Sequence, residues 1–216
     1  QQLPISIVVV SRNRPESLRL CLIGLAQLHH SNYEVIVVAD PHGIVAAMAL
    51  PFATHLRLIP YDKPNISAAR NLGISAAAGE IVAFIDDDAV PEPGWLGHLG
   101  AAFDDPQIAA AGGFVIGRNG ISYQWKARSI ATSGVATPLS VDGSRTTVLT
   151  PPPGQAIKTE GTNMAVRRWV LKKLGGFDEN FRFFLDETDL NMRLAAQGFS
   201  TAIVPLAQVH HAYAPS

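Results

Sequence analysis

Four short runs of apolar and β-branched residues, 5–10, 34–39, 56–59 and 81–85, constrain the fold of this chain more than any other feature. Each is continuous or nearly continuous in apolar character, the pattern of strands buried on both faces. Helical patterns separate them. Residues 15–28 carry Leu18, Cys21, Leu22, Leu25 and Leu28 at helical spacing, with Pro15 where a first turn tolerates it. Residues 65–78 form a second helical candidate, with Gly79 expected as its C-terminal glycine. Strand, helix, strand in repetition builds a parallel sheet with helices on both faces, an α/β fold.

The pattern changes after Leu96. Residues 98–103 should finish a helix and 108–116 hold a strand, whereas 117–154 show little periodicity and end in Thr150-Pro-Pro-Pro-Gly154. A stretch of that kind reads as a functional segment or a solvated insertion. Helical patterns return at 166–174, closed by Gly175 and Gly176, and at 187–196, closed by Gly198, before a strand at 201–204. A chain of 216 residues buries a core without disulfides, and its single cysteine, Cys21, makes no internal bridge. The 17 Lys+Arg against 18 Asp+Glu leave a net charge of -1, which removes the drive for nonspecific binding to nucleic acid. No apolar run approaches the roughly 20 residues that span a bilayer, and QQLPISIVVV lacks the basic start of a signal peptide.

The strongest chemical signal is VAFIDDDAVPEPGWL, residues 82–96. A buried strand delivers three consecutive carboxylates, Asp86, Asp87 and Asp88, to the edge of the sheet where ligands of open α/β folds bind. Adjacent carboxylates repel, so a divalent cation is the simplest reason to hold three together. Mg2+ and Mn2+ take oxygen ligands and combine one or two carboxylates with a substrate phosphate. A second acidic group, Asp186, Glu187 and Asp189, begins a helix just after Phe181, Phe183 and Phe184. The helix dipole favours such charges whatever their function, but apolar surroundings also raise a carboxyl pKa and prepare a general base. Asp40 ends the second strand, Arg70 lies on the 65–78 helix, and His210 and His211 follow the last strand. GxGxxG after the first strand, GxxxxGK(S/T), CxxC, HExxH and GxSxG are all absent, against a classical dinucleotide site, a P-loop, zinc and a serine hydrolase.

Three segments in order resemble the family 2 glycosyltransferases of the GT-A fold, over nearly the whole chain. SIVVVSRNRPESLRLCL is similar to the family's first strand and nucleotide-binding turn, and NISAARNLGISAAAGEIVAFIDDDAVPEPGWL to its central signature with the metal-binding DxD. EGTNMAVRRWVLKKLGGFDENFRFFLDETDLNMRLAAQGF resembles its acceptor-side half. The resemblance implies one GT-A catalytic domain over residues 1–216, a Rossmann-like, mostly parallel sheet flanked by helices, with a nucleotide-binding half to residue 95 and an acceptor-side half from residue 96. It also implies an inverting transferase that moves a sugar from a nucleotide-diphospho-sugar, UDP-linked by first expectation, to a hydroxyl of a carbohydrate or glycolipid acceptor, with Mn2+ or Mg2+ as cofactor.

Site residues carry over on the same terms. Asp86 contacts the ribose and Asp88 the metal, with Asp87 between them. Asp40 accepts a hydrogen bond from the nucleotide base, Arg70 lies close to that base and Ser11 lines the nucleotide. Glu187 stands at the catalytic-base position with Asp186 before it, and His211 is a further metal ligand. Two departures stand out: relatives commonly read Glu then Asp where this chain reads Asp186 then Glu187, and Arg12 replaces a frequent aromatic. The expected location is cytoplasmic, at the inner face of the membrane if a segment beyond Ser216 associates with it. Two rivals remain. FIDDDAV also fits the strand-then-DxDx(T/V) pattern of haloacid-dehalogenase-like phosphatases, with Asp86 as nucleophile, although that motif belongs on a first strand. A catalytically silent nucleotide-sugar-binding domain would have lost the DxD or the base, and this chain retains both.

Overall fold

A computed structural model describes residues 2–212. The first half contains β1 (Ile5–Ser11), α1 (Pro15–Leu25), β2 (Tyr33–Ala39), α2 (Pro41–Met48), β3 (Leu56–Pro60), α3 (Ile66–Ala76) and β4 (Ile81–Asp86). The acidic turn leads into β5 (Ala89–Pro91), α4 (Trp95–Ala102) and β6 (Ile108–Ile116). Short strands follow: β7 (Tyr123–Trp125), β8 (Arg128–Ala131), β9 (Ala136–Pro138), β10 (Thr147–Leu149) and β11 (Gln155–Lys158). The chain closes with β12 (Met164–Arg167), α5 (Arg168–Leu174), α6 (Asp186–Ala196) and β13 (Ser200–His211).

The main sheet runs β10-β13-β6-β12-β4-β1-β2-β3, with β5 on β13 and β7 on β6. Strands β3, β2, β1 and β4 are parallel, as the four apolar runs require. Beyond β4 the sheet is mixed, because β12 lies antiparallel between β4 and β6. Period-two alternation divides the apolar residues between two layers. Ile7 and Val9 face Leu18 and Leu22 of α1 and Trp95 and Leu99 of α4, whereas Val8 faces Ala69 of α3, Val170 of α5 and Leu190 of α6. Each fully buried aliphatic side chain contributes about 1.5–3 kcal/mol, so these layers hold the sheet edge rigid under the loops it carries.

Several sequence expectations change in detail. Helix α2 was not foreseen, although Asp40 and Pro41 make an orthodox start: the Asp40 carboxylate accepts from the Gly43 N–H at 3.2 Å. Gly79 is not a left-handed helix stop. Helix α3 ends at Ala76, and a Cβ on Gly79 would come within 2.7 Å of Ser6 N, so the glycine permits close approach to β1. Val166 belongs to β12 and the helix starts at Arg168, because Met164, Ala165 and Val166 alternate between faces rather than following helical spacing. Gly175 and Gly198 do end their helices at φ 77 and 75. The 117–154 region holds four short strands, two of them joining β11 in a separate three-stranded sheet. The last strand is longer than expected. It shifts register between Val204 and Gln208 around Pro205, and its far end, including His210 and His211, pairs with β5.

Candidate active site

Strand β4 carries Asp86 to the sheet edge, and the β5–β13 pairing brings His211 opposite Ala89, beside the preceding acidic turn. The Ala212 N–H donates to the Asp88 carbonyl at 2.8 Å, which fixes this approach. His211 Nε2 lies 3.0 Å from Asp88 Oδ1, and its Nδ1 lies 2.9 Å from Gln124 Oε1. The other Asp88 oxygen accepts from Arg14 Nη1 at 2.8 Å; the same nitrogen reaches Asp87 Oδ1 at 3.1 Å. Ser11 Oγ donates to Asp87 Oδ2 at 2.6 Å, so both oxygens of this buried carboxylate are engaged within the protein.

These contacts separate the acids electrostatically. Burial, with the charges of Asp88 and Asp86, pushes Asp87 up to about 6 against the pull of Ser11 and Arg14. Burial also works against the Asp88 carboxylate, but His211 and Arg14 outweigh it and hold that group below its ordinary range. His211 is raised: burial disfavours the imidazolium, and the hydrogen bond and charge of Asp88 more than compensate. Asp86, Asp88 and His211 each bring one ligand atom to within 4.8 Å of the others. Two carboxylates and an imidazole are a donor set that suits Mn2+ and accommodates Mg2+, so the residues fit a divalent cation.

Across the cleft, α6 begins at Asp186 after Leu185 in the left-handed region at φ 67. Arg70, on α3 and 4% exposed, donates from Nη1 to Asp186 Oδ2 and from Nη2 to Asp86 Oδ1 at 3.2 Å, tying the two acidic groups together. Burial disfavours its charge, yet Asp186, Asp86 and Glu187 raise its pKa on balance. The guanidinium also stands 5.3 Å from the Phe177 ring, and Gly161 packs so closely that a Cβ there would meet Nη2 at 2.4 Å. Any side chain at 161 would displace the bridge. Glu187 is different. Burial first, then the Asp186 charge and hydrogen bond and the charge of Glu160, raise its carboxyl to about 7.

One cleft of about 620 Å³ is bounded by both acidic groups. Of the residues expected from sequence, Ser11, Arg70, Asp86, Asp87, Asp88, Asp186, Glu187 and His211 line it. Asp40 does not. Its carboxylate is buried, caps α2 and lies 3.5 Å from His42 Nδ1, so its strand-end position serves the helix rather than the cleft. His210 turns instead to Glu92, at 2.5 Å. Sequence reasoning missed Arg14, Gln124, Trp125 and Glu160, all on the cleft wall. Arg14 had a signal, a cation in the turn between β1 and α1. The others lie in or beside the aperiodic stretch and had none.

An α/β sheet with an acid triplet at its strand edge, a metal-capable Asp-Asp-His group and a carboxylate facing it across a cleft has the organisation of a GT-A glycosyltransferase. Its closeness to known GT-A folds is direct: a crystal structure of GalNAc-T7 with UDP, GalNAc and Mn2+ superposes with a TM-score of 0.77 over 99% of this chain and 44% of that one, at 16% identity. The mannosyltransferase PcManGT from Pyrobaculum calidifontis, in complex with GDP-Man and Mn2+, gives 0.68 over 98% and 57%, also at 16%. Residues 6–175 match the family described as Glycosyl transferase family 2, and the chain belongs to it. Relatives include the O-antigen biosynthesis protein RfbC of Myxococcus xanthus, 26% identical over 96% of this chain and 17% of that protein. Pre-mycofactocin glycosyltransferase of Mycobacterium tuberculosis is 27% identical over 96% of this chain and 42% of its own length. The chain thus spans less than half of either relative. Membership of this family stands against the phosphatase reading, and the triplet also follows the fourth strand, not the first. Among the described residues no helix is long and apolar enough to cross a membrane.

Proposed function

We propose that this protein transfers a sugar from a nucleotide-diphospho-sugar to a hydroxyl of a carbohydrate or glycolipid acceptor, with inversion at the anomeric carbon. The observation that carries the reading is the Arg70 bridge: one buried guanidinium holds Asp86 and Asp186, so a metal-capable acid group and a carboxylate with raised proton affinity face one cleft. Residues 1–95 supply the nucleotide side and 96–216 the acceptor side of one catalytic unit. Ser11, Asp86 and Asp87 belong to the nucleotide wall. Val10, Val38 and Tyr61 add apolar surface against which a base can pack. UDP remains the first nucleotide to test; Asp40, committed to α2, is no longer part of that argument.

Asp88 and His211, with Asp86, would hold Mn2+ or Mg2+. When bound, such an ion supplies Lewis-acid neutralisation of the departing diphosphate. Glu187 takes the proton of the attacking hydroxyl as that oxygen bonds to the anomeric carbon and the diphosphate leaves. Asp186 keeps Arg70 in place and is not the base, since its carboxylate is already paired and buried.

Calorimetry with UDP and GDP, each with Mn2+, Mg2+ or a chelator, tests the reading together with product NMR for anomeric configuration. Nucleotide binding should need the metal and disappear in Asp88→Ala. Equal affinity with the chelator present would overturn the metal assignment, and retained configuration would overturn inversion.

A further inference from the structure

Beside Glu187 lie two charged residues that neither the acid triplet nor the Arg70 bridge uses. Lys158 ends β11, the strand packed against α6, and its Nζ lies 2.8 Å from Glu160 Oε1 and 3.6 Å from Glu187 Oε1. The ammonium is also 4.8 Å from the centre of the Trp125 ring, whose arrangement with Arg128 leaves a second cation 4.6 Å from the same ring. All three members of the Glu160-Lys158-Glu187 group are largely buried, where charge interactions are screened less than at the surface.

We propose that Lys158 and Glu160 are positioning residues that set the protonation of Glu187, the lysine favouring its carboxylate and Glu160 drawing the lysine away from it. The inference rests on the reading of Glu187 as the base. The charged groups facing Glu187 are Asp186, its neighbour on α6; Arg70 from α3; and Lys158 and Glu160 from β11 and the turn beyond it. Arg70 is committed to Asp186 and Asp86. Lys158 is therefore the ammonium within ion-pair distance of Glu187 among the described residues, and its shorter contact is to Glu160. Glu187 thus shares the charges of Arg70 and Lys158 with other carboxylates and has no cation of its own. Burial first, then Asp186 and Glu160, raise its carboxyl, and the shared cations do not offset them; a group that holds a proton near neutrality is matched to general-base work.

The arrangement predicts shifts of opposite sign from two substitutions on the same side of Glu187. Removing the Glu160 charge releases Lys158 to Glu187 and should lower the midpoint of its titration; removing the Lys158 charge should raise it. Each shift should be about one pH unit, as expected for a single charge within a few ångströms. The measurement is a 13C NMR titration of the glutamate side-chain carboxyls in the protein without added ligand, with Glu187→Gln assigning the Glu187 signal by its disappearance.

Glu160→Gln should move the Glu187 midpoint down, Lys158→Met should move it up, and Lys158→Arg, which keeps the charge, should leave it close to the parent. Loss of packing alone would not produce opposite signs. Shifts in one direction for both variants, or no shift in Glu160→Gln, would overturn the proposal. If Lys158→Met does not fold, the Glu160→Gln midpoint decides by itself. Transfer that survives in Glu187→Gln would remove the base assignment and leave this titration result standing, so the two failures are separable.

Discussion

Asp86, Asp87 and Asp88 leave a buried strand and are met by cations from three other parts of the chain, whereas Asp186 and Glu187 start a helix and receive one guanidinium and a share of one ammonium. In the first group Arg14, His211 and a shared Arg70 offset the charge. In the second, Asp186 takes the Arg70 contact and Glu187 is left with surplus negative charge around it. The consequences run in opposite directions: Asp88 holds its proton less tightly than an ordinary aspartate, and Glu187 holds its proton more tightly than an ordinary glutamate. A carboxylate kept ionised suits metal binding. One kept close to protonation at neutral pH suits proton transfer.

The strongest way to break this contrast is Glu187→Gln. If Glu187 is the base, transfer should fall by about 10² to 10⁴, while calorimetric affinity for the nucleotide diphosphate stays near the parent value. Parental turnover would mean that the acidic helix start serves the fold alone.

Asp186→Asn should reverse the emphasis from rate to stability. Asp186 and Arg70 form a pair with side chains 2% and 5% exposed, and removing one partner of such a pair typically costs about 3–5 kcal/mol because the other is left buried and poorly compensated. Asp86 keeps one contact to Arg70, so a loss near the lower end, about 3 kcal/mol, is expected in urea unfolding. The corresponding Asp88→Asn change should cost less, since the Arg14 side chain is 47% exposed and water can take over its solvation. Equal losses would show that the two groups do not differ in how their charges are compensated.

A pH series sharpens the contrast further. Glu187 in the folded protein releases its proton at about 7 against an ordinary value of 4.5. Proton binding therefore favours the folded state below that ordinary value, and the contribution is lost as pH rises through the folded one. Glu187→Gln has no such proton to lose. Its stability relative to the parent should grow between about pH 5 and pH 8, by roughly 1–3 kcal/mol after allowance for partial exposure and coupling, as read from thermal melts. Asp88 has the opposite sign: its lowered pKa stabilises the fold at neutral pH, and the benefit fades only in acid. Asp88→Asn should consequently lose stability at neutral pH where Glu187→Gln gains it.

The parallel half of the fold was legible because strands β1 to β4 are continuous apolar runs, and buried parallel strands leave no other pattern. The acid triplet was legible for the same reason: nothing polar interrupts the run before Asp86. Strand β12 was harder, since four residues are too few to separate period two from the helix that follows at Arg168. The bend at Pro205 and the return of β13 to β5 could not be read from local sequence. Without that return, His211 is a histidine near a terminus; with it, His211 lies 3.0 Å from Asp88. Asp40 stands outside the cleft lining for the converse reason. A strand-end acid followed by Pro41 is equally a helix cap, and the cap is what forms. Lys158 and Glu160 belong to a site assembled between separate segments, so their meaning appears only when β11 meets α6.

The smallest expected effect concerns Arg14, and it tests whether the cations around the triplet assist or obstruct a metal ion. Arg14 occupies Asp88 Oδ2 while His211 occupies Oδ1, so neither oxygen is vacant to a cation without rearrangement. Arg14→Met removes one competitor and one positive charge from the neighbourhood, and it leaves Asp88 joined to His211. Binding of Mn2+ alone, measured by calorimetry without nucleotide so that no diphosphate contact enters, should tighten by about 2- to 5-fold, the equivalent of the 0.4–1 kcal/mol typical of a half-exposed ion pair. The gain should shrink at high salt, where the repulsion between Arg14 and the ion is already screened. Weaker binding in the variant would mean that Arg14 holds the Asp88 carboxylate in a ligating orientation, and that the charge balance of the triplet is part of the metal site rather than a placeholder for it.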